Sequence, residues 1–262
     1  MLGRPAPIFG LLLALASPTI ATGWTADSYQ TIAREAANIA PPDLRGQLER
    51  HRRDVLRGAV APLQVGDQRL RVKNPDGSGQ LDAAVLQATK DLANAIRTVQ
   101  PFSEVAYRFG VLSHYTTLLN DPLAVVESDP AERRFSDDFS RYRERAAPRF
   151  ALVFYADEPR VDTWDHVRGL VGRALARGRS LYPLVGMEYR RVGFGSGVIH
   201  FDDRSTAFGI GAVSFSHAVT DIARLTRWAW REGGGIDRGS PAELAPQPRV
   251  LVLPRDPGTG RR

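Results

Sequence analysis

An all-α fold, organised as one domain of many helices, is what the sequence predicts, and three observations predict it. Apolar residues recur at helical spacing almost throughout the chain. Proline, glycine and aspartate interrupt that period at intervals suited to helix ends. No internal repeat and no domain linker divides the 262 residues, a length that one large domain accommodates.

The first 23 residues read as an export signal: Arg4 supplies the positive start, "IFGLLLALA" is apolar but too short to span a bilayer, and small residues precede Trp24. Mature protein is then expected from Trp24, with a helical domain over 24–238 and a Pro-rich tail over 239–262 forming an extended strap and a disordered end. The expected location is periplasmic or secreted, and no later segment has the length of an apolar membrane span.

Asp27 with Gln30 predicts a capping box, followed by a helix over about 28–40 with Tyr29, Ile32, Ala33 and Ala36 facing inward. Pro41-Pro42-Asp43 restarts the chain as a helix carrying Leu44, Leu48, His51 and Val55, with Gly58 as its stop. Residues 64–80, containing "NPDGSG", read as a turn-rich connection or short hairpin. Asp82 is placed to cap a third helix with Val85, Thr89, Leu92, Ile96 and Val99 in register, and Pro101 and Pro122 bracket a fourth. Over 130–157 an amphipathic "FSDDFSRYRERAA" precedes "FALVFYA", which suits either a buried strand or a helix. Trp164, Val167, Val171 and Ala174 mark another helix, and residues 185–204 read as a loop. The last helix starts after Ser205 and runs to about Arg231, with Phe215, Ala218, Ile222, Leu225 and Ala229 inward.

The chemistry-bearing residues are few. There is no cysteine, which excludes thiolate zinc sites, and there are five histidines. No HExxH, Walker, GxGxxG or GxSxG pattern occurs. His114 shares a helix face with Val111 and Leu118, which favours a hydrogen-bonded core imidazole. His217 and Asp221 form an HxxxD pair that could reach one metal ion or one another. "HFDDRS", 200–205, is explained by Asp203 or Ser205 as an N-cap, and His51 and His166 stand alone. The net charge of +6, with 33 arginines against two lysines, reads first as a solvated basic surface and is also compatible with phosphate or anionic lipid; no run of like charges forms a nucleic-acid-binding arm.

Four segments in order carry a resemblance: Trp24 at the expected new N-terminus, "LERHRRDVLRGAVAP" (48–62), "LSHYTTLLNDPL" (112–123) and "DRSTAFGIGAVSFSHAVTDIARLTRWAW" (203–230). Together they resemble the zinc-dependent phospholipase C family, whose all-helical fold is shared with secreted single-strand-specific nucleases. The resemblance implies a three-zinc site held by the terminal Trp and a set of His, Asp and Glu residues. Here Tyr29 stands where it implies a His, Leu63 an Asp, Leu118 an Asp and Ala124 a His; a His and carboxylate pair is implied near Ser136 and Ser140. Trp24 and His114 are the remnant of the ligand set.

The expectation is therefore a degenerate, non-catalytic member that retains a cleft around Trp24, Tyr29, His114 and Leu118. It carries no cofactor and binds a phosphate-bearing ligand such as an anionic phospholipid, or a protein partner. The alternative is an active zinc-dependent phosphodiesterase, phospholipase or nuclease, with a reduced site using Trp24 and His114, and His217 with Asp221 as further candidates. A third reading is an interaction module with that cleft filled by side chains.

Overall fold

The computed structural model describes residues 24–67, 80–126, 134–155, 161–236 and 250–253. The expected signal segment 1–23, the "NPDGSG" stretch and most of the Pro-rich tail lie outside these residues. The all-α expectation holds. In chain order the helices are α1 (Ala26–Asn38), α2 (Pro42–Arg50), α3 (Arg52–Gln64), α4 (Leu81–Arg97), α5 (Phe102–Leu119), α6 (Ser136–Ala146), α7 (Trp164–Val192), the one-turn α8 (Gly197–His200) and α9 (Thr206–Glu232). The sheet consists of β1 (Leu152–Tyr155) and β2 (Val250–Leu253), paired antiparallel with Leu152 opposite Leu253.

Helix α5 forms the centre because nearly every face of it is apolar or small; twelve of its residues are buried, from Val105 to Leu119. A helix buried all round needs neighbours on every side. Helices α3, α4, α9 and α1 supply them. The α3–α5 crossing is the tightest: a methyl group on Gly58 would stand 2.1 Å from the Tyr107 carbonyl oxygen, and one on Gly110 would stand 2.2 Å from that of Val55. Gly58 therefore lies inside α3 as a contact residue, and the helix continues past the stop expected there. His51 separates α2 from α3 instead.

Other ends move for similar reasons. Thr25, rather than Asp27, caps α1, its hydroxyl accepting from the Ser28 amide at 3.3 Å. Helix α4 begins at Leu81 without a side-chain cap, so Asp82 sits in its first turn. Val99 lies beyond the helix in the left-handed region at φ 52°, exposed and off the predicted inward stripe. The loop expected over 185–204 is largely helix. Val185 and Tyr189 extend the buried stripe of α7 by two turns, past Pro183. Tyr189 is anchored by donating from Oη to Asp138 at 2.7 Å. "FALVFYA" contains the strand β1, and the tail contributes β2 as the strap beside it. Ser205 caps α9 by accepting from the Phe208 amide at 3.1 Å.

Candidate functional site

The end of α5 gathers the polar interior. A helix C-terminus carries partial negative charge on its unpaired carbonyls, and here the chain adds Asn120 and Asp121 immediately after it. Both are buried. Two arginines from other helices meet them.

Arg143 comes from α6. Its stripe Phe139, Tyr142, Arg143 and Ala146 is buried, so the guanidinium is carried inward on an apolar face. It forms a two-pronged pair with Asp121, Nη1 donating to Oδ1 at 2.9 Å and Nη2 to Oδ2 at 3.2 Å. Both side chains are 0% exposed. The guanidinium lies 4.1 Å from the Trp24 ring centroid and 4.6 Å from that of Phe139, within cation–π range. Asp121 Oδ1 also accepts from the Leu123 amide at 3.0 Å, which turns the chain after α5.

Tyr29 and His114 lie beside this pair. Their rings stack at 4.1 Å with 24° between planes, and Tyr115 meets His114 edge-on at 5.8 Å. His114 Nδ1 is 2.8 Å from the Ala59 carbonyl oxygen. A carbonyl only accepts, so Nδ1 carries the proton and Nε2 keeps a lone pair. Nε2 and the Tyr29 hydroxyl are buried and lack hydrogen-bond partners among the described residues. Burial lowers the His114 pKa to about 4, opposed by the Ala59 hydrogen bond and the charge of Asp67. Burial, then the Asp121 carboxylate, raises that of Tyr29, with Arg143 opposing. Both are neutral at pH 7.

Sequence-predicted residues Trp24, Tyr29 and His114 are thus brought to one place, around Asp121 and Arg143. Leu118, one turn beyond His114 on α5, is buried as well. None of the four exceeds 2% exposure, so they line a closed interior. Ser136 and Ser140 lie on α6, where the Ser140 hydroxyl donates to the Ser136 carbonyl at 2.9 Å.

His217 and Asp221 occupy a second cluster on α9. Asp221 is fully buried, and its Oδ2 accepts from Arg177 Nη2 at 2.7 Å and from Asn120 Nδ2 at 3.0 Å. Asn120 Oδ1 also accepts from Arg177, at 3.0 Å. His217 lies flat on Tyr155, centroids 3.8 Å apart, and its pKa is lowered to about 3 by burial and then by Arg177 and Arg224. Of the other histidines, His51 stands 3.6 Å from Asp54, and His166 Nδ1 accepts from the Asp162 amide at 3.3 Å. His200 ends α8, while Asp203 pairs with Arg149. A surface cleft of about 500 Å³ lies elsewhere, between the outer stripe of α4 (Gln87, Lys90, Asp91, Asn94, Arg97) and the pair Trp164 and Trp228.

A zinc ion would need about four donors, or three and a water. At the first cluster His114 offers one lone pair, Tyr29 and Leu118 flank it, and the Asp121 carboxylate is neutralised by Arg143. Among the described residues no three His, Asp or Glu side chains are grouped so as to hold a metal ion. The residues present do not fit the ion.

Asp121, Asn120, Arg143 and Arg177 were not singled out from sequence. Arg143 had a readable signal, a charge on the buried stripe of an amphipathic helix between Phe139 and Ala146.

No protein-family profile matches the chain, and no curated protein matches it. Its fold is similar to two solved clostridial toxins. The alpha-toxin of Clostridium perfringens from an avian strain superposes with a TM-score of 0.57 at 12% identity, covering 84% of this chain and 66% of the toxin. The alpha toxin of Clostridium absonum gives 0.58 at 13% identity, covering 80% of this chain and 64% of the toxin. The chain therefore spans just under two thirds of each toxin's length. At such identity the likeness shows the fold alone, an all-α scaffold shared with the matched part of each toxin.

Proposed function

We propose that this chain is an exported protein that keeps a phospholipase C-like scaffold without zinc chemistry and works by binding, either a phosphate-bearing ligand or a protein partner. One observation carries the reading. The residues expected at the remnant metal site enclose an Arg143–Asp121 ion pair that is 0% exposed. A hydrolase needs a nucleophile or an activated water that the substrate can reach. His114 is neutral, covered by Tyr29 and closed to solvent. The second cluster supports the same reading, because the Asp221 carboxylate is engaged by Arg177 and Asn120.

The phosphate-bearing ligand is supported by the net charge of +6 carried by arginine, a residue whose planar fork suits phosphate. The test uses the mature chain. Turnover of bis(p-nitrophenyl) phosphate is measured with and without zinc, and sedimentation with phosphatidylglycerol vesicles is compared with phosphatidylcholine vesicles. No turnover under either condition, with selective sedimentation on the anionic vesicles, is expected. Zinc-dependent turnover would establish the alternative, an active phosphodiesterase with a reduced site. Absence of turnover with no vesicle preference would leave the protein-partner form and remove the lipid one.

A further inference from the structure

We infer that Arg143 is the resident cation of this interior: its guanidinium holds the place of positive charge against Asp121, Trp24 and the C-terminal end of α5, and makes the fold indifferent to metal ions. The inference rests on the non-metal reading of the site, but it concerns what replaces the metal rather than what the protein binds.

Three features support it. The pair is formed between distant elements, the guanidinium on α6 and the carboxylate just past α5, and both are fully buried. A charge so placed is tolerated when it is paired and its hydrogen bonds are well aligned. Guanidinium is also the cation suited to the site, since it is weakly hydrated, delocalised and able to lie over aromatic rings. Trp24 and Phe139 supply those rings at 4.1 and 4.6 Å.

The second feature is the setting. The last carbonyls of α5, followed by Asn120 and Asp121, form a region that favours positive charge. The nearby imidazole of His114 is committed through Nδ1 to the Ala59 carbonyl and covered by the Tyr29 ring. Arg143 does so through a covalent tether, so no ion has to be captured from solution.

The third is exclusion. A dication brought to the His114 lone pair would meet the permanent positive charge of Arg143 beside Asp121, and among the described residues no three His, Asp or Glu side chains are grouped to hold it. Arg143 thus both satisfies Asp121 and opposes metal entry.

The test is thermal unfolding of the mature chain. Wild-type protein is scanned in EDTA and in zinc chloride, and Arg143→Ala is scanned alone, with methylguanidinium chloride and with zinc chloride. The expected wild-type Tm is the same in EDTA and zinc. Arg143→Ala should lose about 10 °C, as removal of one partner of a buried pair does in a chain of this size. Methylguanidinium should return part of that loss in the variant and none in wild type, and zinc should return nothing.

A wild-type Tm that falls in EDTA, an Arg143→Ala Tm equal to wild type, or rescue by zinc in place of methylguanidinium would overturn the inference. If Arg143→Ala does not fold, Arg143→Lys replaces it. Lysine keeps the charge but loses the fork, and an intermediate Tm is expected, unmoved by zinc; a Tm equal to wild type or raised by zinc would overturn the inference. Zinc-independent phosphodiester turnover would defeat the proposed function and leave these results standing.

Discussion

Tyr29 lies flat on His114, ring centroids 4.1 Å apart and planes 24° from parallel, with both side chains sealed from solvent. The stack covers one face of the imidazole, while the hydrogen bond from Nδ1 to Ala59 fixes its tautomer. The Tyr29 hydroxyl is the polar cost of this arrangement, since it has no hydrogen-bond partner among the described residues. Tyr29→Phe should therefore be neutral or stabilising by about 1 kcal/mol, read by urea unfolding. A loss of stability on removing the hydroxyl would show that it is bonded in solution.

His114 makes stability pH-dependent with a definite sign. Its pKa is about 4 in the folded chain against an ordinary 6.5, so between these values the unfolded chain binds more protons. The contribution is complete above pH 6.5 and is lost as the pH falls through 6.5 toward 4, amounting to about 3 kcal/mol. His217, lowered in the same direction by burial and two arginines, adds to the trend. Comparing wild type with His114→Gln from pH 7.5 to 4 isolates the first term. The variant should show the shallower slope, and identical slopes would contradict the assignment.

Arg177 is coupled to Asp221 through a buried carboxylate. Arg177→Met should destabilise by about 3 kcal/mol because it removes the cation paired with that buried charge, and Arg177→Met with Asp221→Asn should recover much of the loss. Equal losses in the single and double variants would mean that the pair is not coupled.

The α3–α5 crossing depends on two missing side chains. Gly58→Ala would place a methyl group 2.1 Å from the Tyr107 carbonyl oxygen. Backbone cannot yield as a side-chain tip can, so a loss of about 3 kcal/mol is expected in thermal unfolding. A wild-type Tm would show that the helices separate freely.

Much of the architecture was legible because helical periodicity is a local signal. The final helix, from its Ser205 cap to the glycine after Glu232, was readable for that reason. What escaped depends on contacts between elements. Gly58 resembles a helix stop until Tyr107 is known to lie against it, and residues 185–204 resemble a loop until Tyr189 is seen bonded to Asp138. At the candidate site, Trp24, Tyr29 and His114 were named from sequence and are found together. Asp121 and Arg143 were missed because they are 22 residues apart and only folding makes them partners.

An arginine–carboxylate pair, Arg143 with Asp121, occupies an interior where the sequence resemblance implies zinc. The most direct measurement is elemental analysis of the chain from Trp24 onward, produced in zinc-supplemented medium and then dialysed exhaustively. Zinc well below one equivalent per chain is the result the account predicts. One or more equivalents retained, with X-ray absorption showing nitrogen ligands and with the metal lost on replacing His114, would contradict it.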